Sequence, residues 1–297
     1  MGNYEIDREI GPGLFEATHR VLPRRALVKI ARGATAVQLM REACILEALQ
    51  HQGVVRVFES GVTSDKRPWL ALELVGGETL DTILERGPLA PVEIVRLVGG
   101  LAEILEHAHR RGVIHRGLRP DRVALTGRRI CIADWSDART HDASSQIPHL
   151  PQPGTRAYLA PEVVRGDATD DRADVFALGA IAYQALTGVL PPLGIYPYIP
   201  VAQRCGHALP LELTALVDQM LSPDRFDRPT ASEVRTELAS LAGLLPETVV
   251  AEHLVLVDTD GIPETRLVRI RKPRWTPPIS YVASDLADLV SGENELE

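Results

Sequence analysis

The sequence is poor in cysteine, lysine and aromatic residues, and it lacks both an excess of positive charge and a long hydrophobic run. Its three cysteines, Cys44, Cys131 and Cys205, are odd in number and without paired spacing. That excludes a disulfide framework and a zinc site, and it fits a reducing compartment. The net charge of −8 leaves out the broad electrostatic footprint that nucleic acid or an anionic membrane requires. The most apolar stretch, residues 176–190, carries Gln184 and Thr187 and stops at Pro191-Pro192. It is short of the ~20 residues a spanning helix needs and is expected to be a buried core helix. Residues 1–5 show no charged-then-apolar leader. These absences predict a cytoplasmic protein with no membrane span and no nucleic-acid partner. Lysine is scarce against arginine: Lys29, Lys66 and Lys272 are the only three among 32 basic residues.

What is present is a chain of ordinary globular make-up. Hydrophobic residues at 45%, charged residues at 24% and no low-complexity tract exclude wholesale disorder and a fibrous repeat. At 297 residues there is material for about two lobes at ~100–200 residues each. Residues 4–31 read as strands around a Gly11-Pro12-Gly13 turn, residues 35–50 switch to helical period, and residues 54–61 and 69–74 read as a further strand pair ending at Gly76-Gly77. Helical signals dominate afterwards, including a long helix from Pro91 to about residue 111. This order predicts an α+β plan with a small lobe over residues 1–75, a helical lobe over 76–243 and an extension over 244–297. Residues 138–154 form a long loop without periodicity. In the extension, apolar runs at 254–257 and 266–270 flank Thr259-Asp260-Gly261 as in a hairpin, and a weak helix follows near 285–290. Arg266, Arg269, Arg271, Lys272 and Arg274 make this arm basic, and it either docks a partner or a second copy by strand addition or packs back on the helical lobe.

Seven spaced signals resemble the protein kinase family over roughly residues 4–243. Lys29 in Leu27-Val28-Lys29-Ile30 looks like the strand lysine that holds the nucleotide's α and β phosphates, with Glu42 as its helix partner. His115-Arg116 opens the catalytic loop, Asp134 begins the metal-binding triplet, and Ala160-Pro161-Glu162 closes the activation segment. Asp174 and Arg228 match buried anchors of the helical lobe, with Glu162 and Arg228 expected as a structural ion pair. The resemblance implies a bilobal kinase-like fold and a nucleotide site drawn from Gly11, Gly13, Lys29, Glu42, Glu73 and Asp134, with Asp134 as metal ligand. Where lysine is so rare, its use at position 29 marks a place that needs a compact ammonium.

The departures are as specific as the matches. The family reads His-Arg-Asp-Leu-Lys-Pro-x-Asn, whereas this chain reads His115-Arg116-Gly117-Leu118-Arg119-Pro120-Asp121-Arg122. Gly117 replaces the general base, a loss of typically ~10²–10⁴-fold in rate, or about 3–5 kcal/mol at ~1.36 kcal/mol per decade. Arg122 replaces a metal ligand with a cation that takes over the charge of the second Mg²⁺, points to solvent, or pairs with Asp121 or Asp137. The metal triplet becomes Asp134-Trp135-Ser136, Pro12 removes an N–H from the phosphate loop, and Glu16 sets a carboxylate where the third glycine belongs. Arg116 leaves a cation to bind an activation-segment phosphate carried by Thr140, Ser144, Ser145 or Thr155. The leading expectation is therefore a pseudokinase: a scaffold or allosteric regulator of a signalling protein, with ATP binding open and Mg²⁺ doubted. The alternative is an atypical Ser/Thr phosphotransferase with another base, Asp121 or Asp137.

Overall fold

Alternating burial along the first thirty residues makes three strands, β1 (Tyr4–Gly11), β2 (Leu14–His19) and β3 (Arg25–Ile30). Pro12-Gly13 joins the first two. Gly13 has φ +78°, and a Cβ there would lie 2.7 Å from the Ile30 carbonyl oxygen, so only glycine fits this turn. The computed structural model describes residues 2–140, 155–192, 199–205 and 209–243. The expected hairpin and helix of the extension, its docking or dimerising role, and Ser144 and Ser145 lie outside them.

Helix α1 (Ala36–Leu49) follows, buries Leu39, Ile45, Leu46 and Leu49, and leaves Cys44 exposed despite its place in the apolar pattern. Strands β4 (Val57–Val62) and β5 (Pro68–Glu73) complete an antiparallel sheet in the order β1-β2-β3-β5-β4. The strand begins three residues later than the apolar run from Val54 suggests, because Val54 bridges in parallel to Ile132 instead. One face of the sheet carries Tyr4, Ala17, Ala26, Val28, Ile30, Trp69 and Ala71 as a small separate core. The opposite face carries Leu70 and Leu72 into the main core, which passes through α1 into the helical lobe without a break.

The second lobe begins with β6 (Glu78–Thr79) and α2 (Leu80–Leu84), then α3 (Pro91–His109). Pro91 suits the first turn of α3, where its missing N–H has no partner to lose. Glu93 caps that turn by accepting from the Ala90 N–H at 2.9 Å. Ile94, Leu97, Val98, Leu101 and Leu105 recur at three- and four-residue spacing and are buried, each contributing roughly 1.5–3 kcal/mol. Strands β7 (Val113–Ile114), β8 (Val123–Thr126), β9 (Arg129–Ile132) and β10 (Arg139–Thr140) are short. β10 pairs with β7 and β8 with β9, which folds the segments carrying Gly117 and Asp134 towards each other. Helices α4 (Pro161–Arg165), α5 (Arg172–Thr187), α6 (Val201–Arg204), α7 (Leu211–Met220) and α8 (Ala231–Ala242) complete the lobe. α5 is buried on nearly every side, as its unbroken apolar run predicts, and no helix of the described residues is long and apolar enough to cross a membrane.

Two buried anchors hold this lobe. Arg228 donates through both terminal nitrogens to the Glu162 carboxylate, at 2.7 and 2.8 Å, and through Nε to the Ser222 carbonyl at 2.8 Å. Asp174 accepts from the backbone N–H groups of His115 and Arg116, both at 2.7 Å, and lies 2.9 Å from His109 Nε2. Arg116 has φ +64°, a left-handed conformation costly to a non-glycine residue, and the Asp174 carboxylate is what secures the chain in it.

Candidate active site

Lys29 sits on β3, facing away from the outer core, and reaches two elements at once. Its Nζ lies 2.6 Å from Glu42 Oε1 on α1 and 2.7 Å from Asp134 Oδ1, which follows β9. Burial pushes the ammonium down, but the Asp134 and Glu42 carboxylates outweigh it and hold Lys29 above its ordinary pKa. Burial would likewise raise Asp134, yet Lys29 and Arg122 hold it well below the usual carboxylate range. Lys29 and Asp134 are thus held in their charged forms, whereas burial, with the nearby Asp134 carboxylate, pushes Glu42 up against the pull of Lys29. The Trp135 N–H donates to Glu42 Oε1 at 3.3 Å, and Gln38 on α1 donates to the Ser136 carbonyl at 3.0 Å. These contacts tie α1 to the Asp134 segment. Trp135 is fully buried, donates from its indole N–H to the Ile132 carbonyl at 3.0 Å, and packs edge-on against His115 at 4.7 Å.

The catalytic-loop changes meet in space. Arg122 lies at the end of a 3-10 turn, 9% exposed, with Nε 3.1 Å from Asp134 Oδ2 and Nη2 2.7 Å from Asp137 Oδ2. It thus pairs with Asp137, one of its expected partners, and with Asp134, which sequence spacing did not suggest. A Cβ built on Gly117 would collide with Arg122 Nη1 and stand 2.9 Å from Asp137 Oδ2. The volume that an aspartate at 117 would occupy is thus filled by a guanidinium and a carboxylate from elsewhere in the chain. Asp121, the first candidate for a replacement base, pairs with Arg119 at 2.7 Å, as Asp137 does with Arg122, but it is not among the atoms nearest a Gly117 Cβ. Asp137 is the acidic group that actually borders Gly117; its place three residues after Asp134 was the available signal.

Two other expectations change. Glu16 was expected to repel phosphate, but its carboxylate is clamped by Arg8, at 2.6 Å, and by Arg25. Cross-strand register explains this: Arg8 lies opposite Glu16 and Arg25 lies two residues from its β3 partner Leu27, so all three share one face. Glu73, expected at the nucleotide, instead directs its carboxylate to Arg129, 3.2 Å from Nη2, and to the Arg56 N–H at 3.3 Å. It braces the junction of the lobes rather than offering a free carboxylate to a ligand. Gly11 and Gly13 keep their place at the β1-β2 turn, where the Ile30 N–H donates to the Gly13 carbonyl at 2.8 Å.

Comparison with known families matches residues 4–238 to the protein kinase domain. Among curated proteins, the serine/threonine-protein kinase PknB of Mycobacterium leprae is 30% identical over 286 residues, covering 86% of this chain and 45% of that protein. The serine/threonine-protein kinases pkn3 and pkn2 of Myxococcus xanthus are 30% and 31% identical, covering 77% and 80% of this chain and 48% and 32% of their own lengths. The chain spans about half the length of these relatives or less. That similarity to serine/threonine kinases across most of the chain overturns the expectation of a non-catalytic scaffold drawn from Gly117, Arg122 and the altered phosphate loop and metal triplet. With a matching domain over residues 4–238 and the bilobal architecture described above, the chain belongs to the protein kinase family.

Proposed function

We propose that the protein is an ATP-dependent serine/threonine phosphotransferase in which Asp137 accepts the substrate proton in place of the residue missing at 117. The observation that carries this reading is the Asp137 carboxylate, 2.9 Å from where a Gly117 side chain would begin. A carboxylate at that point can serve the same hydroxyl that an aspartate from the loop would serve. Lys29, held by Glu42 and Asp134, presents an ammonium for the α and β phosphates of ATP. In the reaction the hydroxyl oxygen of a protein Ser or Thr attacks the terminal phosphorus. The new O–P bond forms as the bond to the β-phosphate oxygen breaks, the hydroxyl proton passes to Asp137, and ADP leaves.

The kinase family usually brings Mg²⁺ with ATP, and such an ion offsets charge on the phosphates. Asp134 with phosphate oxygens fits one ion. The residues present do not fit a second: the second ligand position is the cation Arg122, and no group of three or more His, Cys, Asp or Glu among the described residues could hold a metal.

The test is phosphate transfer from radiolabelled ATP to a Ser/Thr peptide or to the protein itself. Asp137→Asn is expected to lower turnover by roughly 10²–10⁴-fold, Lys29→Ala and Asp134→Ala are expected to abolish it, and Asp121→Asn should leave it within about threefold. Turnover retained in Asp137→Asn, or absent from the wild type, overturns the reading.

A further inference from the structure

Arg122 is a large charged side chain in the cleft whose hydrogen bonding is incomplete. Its backbone is pinned on both sides: its N–H donates to the Arg119 carbonyl at 3.1 Å, and its carbonyl accepts from the Ala133 N–H at 2.7 Å. The side chain is nine-tenths buried, and Nη2 and Nε stand against Asp137 and Asp134. Nε, although 3.1 Å from Asp134 Oδ2, and Nη1, which is buried against Gly117, both lack a hydrogen-bond partner, and Nη1 has no carboxylate assigned to it. A buried guanidinium N–H without an acceptor is uncommon, because its lost hydration is not replaced. An anionic oxygen satisfies such a donor once the side chains covering Nη1 shift to admit it, and phosphate suits a guanidinium better than any neutral group does.

Position says which phosphate. Asp134 stands between the two cations, with Oδ1 towards Lys29 and Oδ2 towards Arg122. Nη1 lies beyond Asp134, beside Gly117 and Asp137, where the proton leaves the attacking hydroxyl in the reaction above. The group that belongs there is the one being transferred. We infer that Arg122 binds the terminal phosphate of the bound nucleoside triphosphate through Nη1, as a built-in cation at the place of a second divalent ion. This rests on the reading of the cleft as an ATP site, and it makes that site selective for triphosphate over diphosphate and less dependent on Mg²⁺. The charge balance agrees: Lys29 and Arg122 face Glu42, Asp134 and Asp137, so removing Arg122 leaves a strongly anionic pocket that a triphosphate avoids.

Calorimetric titration of the full chain with ATP and ADP, each in Mg²⁺ and in excess chelator, tests the inference without requiring turnover. The wild type is expected to bind ATP at least tenfold more tightly than ADP and to lose less than tenfold in affinity for ATP in chelator. Arg122→Gln is expected to lose at least tenfold in ATP affinity, with ADP changed by less than threefold. Wild-type affinity for ATP in Arg122→Gln, or ATP binding abolished by chelator in the wild type, overturns the inference. Thermal melting without nucleotide reports whether Arg122→Gln is folded. If it is not, Arg122→Lys decides, since it keeps the charge but cannot reach with Nη1, and its binding ATP as the wild type does overturns the inference. Loss of turnover in Asp137→Asn with these affinities unchanged leaves both readings standing, whereas unchanged turnover there removes the base and not the phosphate contact.

Discussion

Restoring the family's aspartate with Gly117→Asp is expected to harm this protein. The new Cβ meets Arg122 Nη1 inside contact distance and Asp137 Oδ2 at 2.9 Å, and the new carboxylate is a fourth acidic group beside Glu42, Asp134 and Asp137. Arg122 can relieve the clash only by leaving two carboxylates that hold it in a site where it is 9% exposed. Overpacking of this kind costs about 1–3 kcal/mol. At roughly 2–4 °C per kcal/mol for a domain of this size, melting should fall by roughly 2–12 °C. Phosphate transfer should not rise.

The double substitution Gly117→Asp with Arg122→Asn removes the obstacle together with the clash, and it restores the family's pair of residues. Its stability should exceed the sum of the two single changes by about 0.5–3 kcal/mol, the range for residues in contact. Urea unfolding of the four proteins gives the coupling, and labelled-ATP transfer gives the activity. The reasoning fails if Gly117→Asp alone is as stable as the wild type and more active. It fails equally if the two changes add within about 0.3–0.5 kcal/mol, as independent sites do.

His115 should make stability fall in mild acid. Burial pushes its pKa down, its Nδ1 accepts from the Gly117 N–H at 3.2 Å, and Nε2 lies 2.8 Å from the Asp134 carbonyl, so the folded state holds it neutral. The unfolded chain takes up the proton from about pH 6.5 downwards, so this stability is present above that value and is lost as pH falls. Urea midpoints between pH 7.5 and 5.5 should decline, and less so in His115→Gln; equal slopes would refute the assignment. For Arg228 and Glu162, the bidentate buried pair predicts a loss of about 3–5 kcal/mol on Glu162→Gln, since one partner remains charged and buried. Calorimetric melting checks this, and a change under about 1 kcal/mol would show that the pair is not what holds α4 to the helical lobe.

The sequence carried more of the fold than of the site. Lys29, Glu42, Asp134, Asp174 and Arg228 were legible because each sits in a local run whose type and order stand out along the chain, and the paucity of lysine made Lys29 conspicuous. The structure brings the first three together at 2.6 and 2.7 Å and buries the last two. The partners of Glu16 are not legible in the sequence because its arginines are eight and nine residues away and become neighbours only through antiparallel pairing. The apolar run from residue 54 starts ahead of the strand because Val54 and Val55 pack into the core without entering the sheet.

Gly117 shows where linear reading stops. The chain by itself determined that a side chain is missing from the catalytic loop, that a cation stands five residues later and that a kinase lobe surrounds both. Those are facts of residue type and spacing. Only the tertiary structure decided what fills the space, because charges find partners through loop closure and strand register rather than by distance in sequence. Lys29 meets Asp134 across 105 residues, and the Asp137–Arg122 pair, one of those expected, fills the vacancy at 117 only when β8 and β9 pair.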